Sequence, residues 1–115
     1  MKRLVVERQG KVVREQTFDA AMDAEGSLVV KGGRHKNQRG LPVGKLLTDT
    51  EGSSLYLERC DGHPMRMPRS AFEPDPNRYL LVRNSRGDLK MLDMGAADAK
   101  PKLMTRRITR IQIEP

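Results

Sequence analysis

The chain has 115 residues, 37% of them hydrophobic and 32% charged, with a formal net charge of +7. That length accommodates one domain, residues 1–115, built on a single core and too short for two. No apolar run approaches a membrane span, MKRLVVERQG lacks the apolar region of a secretory signal, and the single Cys60 excludes an intramolecular disulfide, so a cytoplasmic protein is expected.

In chain order, RLVVER (residues 3–8) reads as a strand, Gln9–Gly10 as a turn and KVVREQ (residues 11–16) as the returning strand of a hairpin. TFDAAMDAEG then turns to small and acidic residues: Thr17 or Asp19 is placed to cap a helical turn and Gly26 to stop it. SLVVK returns to β character. GLPVGKLLTD is expected to put Pro42 just inside a short helix weakened by Gly44, with Leu41, Leu46 and Leu47 facing the core.

SLYLERC (residues 54–60) is a strand, followed by an Asp61–Gly62 turn into PMRMP, which its prolines confine to an edge or a strand end. SAFEPDPN is a connection with a helical turn at Ser70–Phe72. RYLLVRN and DLKML flank a turn at Ser85–Gly87, and GAADAKPK is a loop of small residues. RRITRIQIEP closes the chain as a strand whose apolar set is Ile108, Ile111 and Ile113, the broken alternation between the first two implying a bulge. About eight short strands and two short helices make an α+β, mainly β domain, a mixed sheet or a barrel or sandwich. Aromatic residues are only 3% and there is no Trp, so Leu, Val, Ile and seven Met must fill the core.

The charge comes in blocks. Residues 1–14 carry +4, residues 15–30 carry −4, residues 31–48 carry +5, residues 49–98 carry −2 and residues 99–115 carry +4. The balance favours an anionic partner: an anionic ligand, an acidic protein or a nucleic acid. The densest stretch is KGGRHKNQRG (residues 31–40), which contains no acid. Its glycines free the backbone to present amide groups, and Arg34, His35, Lys36 and Arg39 are placed to surround an anion. Arg106 and Arg107 supply a second cluster, and Lys100 with Lys102 a third. The competing account of the stretch is a solvated connection.

Other motifs fall away. GLPVGKLL has neither the glycine spacing of a nucleotide-binding P-loop nor the Ser or Thr that must follow its lysine. Cys60 and His63 are two ligand types at close spacing, but His35 is the one other histidine, so no metal site and no cofactor is expected. Cys60 is then a half-buried residue beside a turn, without the His–acid support of a nucleophile. Arg86–Gly87–Asp88 has turn chemistry, and no catalytic residue emerges. Phe18, Tyr56, Phe72 and Tyr79 are scattered in apolar contexts, which limits any nucleic-acid binding to non-specific, salt-sensitive phosphate contact.

From Thr17 onward the pieces TFDAAMDA, SLVV, RGLPVGKLL, DGHPMRMPRSAF, RYLLV, RGDLKML and RRITRIQI follow one another in an order that resembles a reduced oxidoreductase molybdopterin-binding domain, the sulfite-oxidase-like family. The family's enzymes ligate molybdenum through a Cys in an early loop and surround the pocket with tryptophans. Here that loop is KGGRHKNQRG, Cys60 lies beyond the helix, and Trp is absent. The resemblance therefore implies the fold with a degenerate or lost cofactor site.

Three functions are weighed in this order. The first is a small non-catalytic domain, of that fold or another, whose basic face binds an anionic ligand or partner. The second is a non-specific nucleic-acid-associated protein, and the last a molybdopterin-dependent oxidoreductase, which lacks its metal ligand.

Overall fold

Gln9 and Gly10 take φ values of 50° and 78°, the positive pair that a two-residue hairpin loop needs to match strand twist, and they join β1 (Arg3–Arg8) to β2 (Lys11–Thr17). The chain then reverses into α1 (Phe18–Glu25). Thr17 caps that helix, its hydroxyl accepting from the Ala20 amide at 3.1 Å, and Gly26 ends it at φ 89°. The computed structural model describes residues 3–31, 36–48, 54–60, 62–83, 86–95 and 101–114.

After α1 come β3 (Leu28–Val29), β4 (Arg39–Pro42), α2 (Lys45–Thr48), β5 (Ser54–Arg59) and β6 (Met65–Pro68). A 3-10 turn at Arg69–Ala71 leads to β7 (Tyr79–Arg83), β8 (Leu89–Asp93) and the long β9 (Lys102–Glu114). The helical turn expected at Ser70–Phe72 is thus present one residue earlier. Nine strands are described, one more than the expected eight, because the residues before α2 form β4.

Pro42 lies at the end of β4 and not inside a helix. Leu41 and Pro42 pair with Leu81 and Leu80, and the Val43 amide donates to the Tyr79 carbonyl at 2.8 Å, so the ladder holds the backbone extended through the proline. Gly44 follows where the chain passes Pro76. A Cβ at Gly44 would lie 2.9 Å from the Pro76 Cα and carbonyl oxygen, so contact and not helix propensity requires glycine there.

The strands form one curled mixed sheet in the order β2-β1-β9-β8-β7-β4-β3, with β6 joined through β5 to β9. β9 is its spine. Ile108 is paired with both Arg59 of β5 and Leu89 of β8, whereas Ile111 is paired with both Leu57 of β5 and Val6 of β1. One edge of β9 therefore belongs to β5, and the other passes from β8 to β1. The handover falls where the registers slip: Arg107 is extra opposite β8 and Thr109 extra opposite β5. The expected bulge between Ile108 and Ile111 is the one at Thr109.

Inside the curl, Phe18, Ala21 and Met22 of α1 pack with Leu4, Leu41, Leu57, Leu81, Met91 and the three isoleucines of β9. Phe72 meets Tyr79 edge-on, with ring centroids 5.8 Å apart. A smaller cluster lies on the outer face, where Val30 covers Leu80, Val82 and Leu92. The radius of gyration, 13.1 Å, suits a single domain of this length. Among the described residues, no helix is long and apolar enough to cross a membrane.

Candidate anion-binding surface

Of the six basic positions proposed to face an anion, the described ones are divided by the fold. Arg34 and His35 lie outside the described residues. Lys36 is exposed in the β3–β4 hairpin, which the Asn37 amide closes by donating to the Val30 carbonyl at 2.8 Å. Arg39 leaves that group: its guanidinium donates to Asp23 of α1 and to the Ser27 hydroxyl, both at 3.1 Å. Arg106 and Arg107 sit on β9, and β7 and β8 separate that strand from β4. At the usual strand spacing the two backbones are about 14 Å apart.

The acidic block of the sequence explains Arg39. Along α1, Asp19 faces Arg83 of β7 at 3.5 Å, Asp23 faces Arg39 of β4 and Glu25 faces Arg14 of β2 at 2.8 Å. The acids of α1 thus neutralise arginines on three strands, including one from the basic stretch, and Glu15 of β2 faces Arg3 of β1 at 3.5 Å. On the outer face near the C-terminus, Arg110 bonds Glu7 of β1 at 2.6 Å, and Arg66 of β6 bonds Glu114 at 2.6 Å and lies over the Tyr56 ring. These pairs hold the Glu7 carboxyl below its usual range through the Arg110 hydrogen bond, and raise both guanidinium groups. That face is charged but internally compensated.

The handover on β9 differs. Lys90 of β8 stands directly opposite Arg106 of β9, on the same face of the sheet. Neither has an ion-pair partner among the described residues, and two like charges in direct register oppose pairing. Arg107 follows with φ 55°, the one left-handed non-glycine residue that the described strands contain. Strained backbone of this kind concentrates at working surfaces. Its side chain is exposed at a depression of about 350 Å³ shared with Cys60, Arg86, Asp88, Ile108 and Thr109.

Two turns reach this point. Arg59 carries the β5–β6 turn onto β9, donating to the His63 carbonyl at 2.7 Å and to the buried Thr105 hydroxyl at 3.3 Å. The Cys60 amide donates to the Arg107 carbonyl at 3.1 Å, which leaves the Cys60 side chain exposed and not half buried as expected. From the other side comes the β7–β8 turn with Arg86. The β3–β4 hairpin opens at that same end of the sheet, since β4 runs antiparallel to β7 and Gln38 donates to the Arg83 carbonyl at 3.2 Å.

Lys90 carries no signal of its own in the sequence, and Arg86 reads there only as part of a turn. Alternation in DLKML shows that Lys90 points away from Leu89 and Met91, but its neighbour across the ladder depends on the register with β9. Among the described residues, no group of three or more His, Cys, Asp or Glu side chains gathers around a possible metal position. No family model, no curated protein and no solved structure matches the chain.

Proposed function

We propose that this protein is a small non-catalytic binding domain whose basic surface, centred on Lys90, Arg106 and Arg107, holds an anionic ligand or partner. The supporting observation is the Lys90–Arg106 register: two cations face each other with no acid paired to either among the described residues, at an energetic cost that a bound anion would reverse. Arg86 shares the depression beside Arg107 with Asp88, and Lys36 is exposed in the hairpin that opens at the same end of the sheet. That spread suits a long polyanion and supports non-specific nucleic-acid association as a second reading.

The resemblance to sulfite-oxidase-like domains enters this proposal only as a cofactor-free version of that fold.

The test compares elution from immobilised heparin. Replacing Lys90, Arg106 and Arg107 together by Gln is expected to lower the eluting salt concentration. The melting temperature should hold or rise, because the like-charge pair disappears. Arg39→Gln should change elution less, its charge being matched by Asp23. Failure of the wild-type protein to bind heparin at low salt would overturn the proposal.

A further inference from the structure

Lys90 and Arg106 adjoin an apolar strip that ends at the half-exposed Leu103. Across β7, β8 and β9, directly opposed residues form two rows on the outer face. One is Leu80–Leu92–Leu103 and the other Val82–Lys90–Arg106. Val30 closes the β7 side, where Leu80, Val82 and Leu92 are buried. Towards β9 the cover stops. Leu103 is 46% exposed, directly beside buried Leu92, and Arg106 is exposed next to it.

We infer that this strip receives a segment of an acidic protein, one that lays an apolar side chain over Leu103 and carboxylates against Lys90 and Arg106. The inference rests on the proposed anion-binding function and names its partner class. Charge complementarity selects the occupant. A second copy docked through the same patch would set Lys90 and Arg106 against themselves, in a chain already at +7. A nucleic acid would match the charge, but the two rows carry no aromatic side chain on which a base can stack and would leave Leu103 without an apolar partner. An acidic segment with apolar side chains satisfies both rows, covering leucine while pairing the cations.

The experiment uses the full chain and three labelled probes of matched charge: a peptide alternating Glu with Leu, a peptide alternating Glu with Ser, and oligothymidylate. Anisotropy at low salt should show the Glu–Leu peptide binding about fivefold more tightly than the Glu–Ser peptide, the effect of covering a half-exposed leucine. Leu103→Ser should abolish that difference and leave heparin elution unchanged, Leu103→Met should keep it, and Arg106→Gln should weaken both peptides. Equal affinity for the two peptides, or oligothymidylate matching the Glu–Leu peptide, would overturn the inference while the anion-binding proposal stood. Absence of binding by every probe and by heparin would remove both.

Discussion

Asp93 shows how a single side chain is held by geometry. Arg78 grips its carboxylate at both ends, through Nε at 2.9 Å and Nη2 at 3.1 Å, and the Gly95 amide donates to it at 2.8 Å. The Arg78 hydrogen bonds depress the Asp93 carboxyl below its ordinary value and raise the guanidinium. A depressed folded-state pKa contributes stability above the unfolded value and loses it as pH falls through the folded one. Asp93→Asn is therefore expected to be less stable than the wild type at neutral pH, and the gap should close as pH drops below about 4. Chemical denaturation at several pH values measures this; a gap that persists in acid would show that the carboxylate charge is not its source. Lys90 and Arg106, a few residues away, have the opposite character, with charge opposed to charge.

At the scale of elements, α1 holds the curl together. It lies among strands from both ends of the sheet, anchored by Phe18 inside the core and by carboxylates on Arg14, Arg39 and Arg83. The exposed ion pairs at Arg39 and Arg83 contribute little singly, so burial of Phe18 should dominate. Phe18→Ala is expected to cost about 3–5 kcal/mol, and Thr17→Ala, which removes the cap, about 1 kcal/mol. Urea titration compares the two. Similar losses would mean that α1 is held by its local helix signals and not by the core. β2 shows a second element-scale device: it is an edge strand with Val12 and Val13 about half exposed, and the register slip opposite Val6 and Glu7 disrupts the ladder at Val13. Bulged edges pair poorly with further strands.

For the molecule as a whole, the net charge is less informative than where it remains uncompensated. Glu7, Glu15, Glu25, Glu58, Glu114, Asp19, Asp23 and Asp93 all lie against arginines, so the excess collects on residues such as Lys36, Lys90, Arg106 and Arg107. Loss of affinity with salt should follow the number of phosphates engaged, with a slope of about 0.9 per contact on duplex DNA. On the proposed resemblance, the purified protein is expected to carry neither molybdenum nor a pterin, since the KGGRHKNQRG stretch that would stand in the ligand loop has no cysteine. Stoichiometric molybdenum by elemental analysis would overturn that expectation.

Elements governed by local physics are legible in the residues alone. Gln9–Gly10 turns because both residues adopt positive φ, Thr17 and Gly26 bound α1 through a hydroxyl and a missing Cβ, and alternation marks RLVVER and SLYLER as half-buried strands. The mainly β class follows from those signals together. Features that depend on partners distant in sequence are set by long-range contacts. Pro42 reads as a helix start until the β7 ladder extends it, and Arg39 reads as a free cation until Asp23 takes its charge. Lys90 becomes conspicuous only once the register of β8 on β9 sets Arg106 across from it. Periodicity identifies the face on which a side chain stands; its neighbour on that face is set by strand pairing, which the core selects through long-range packing.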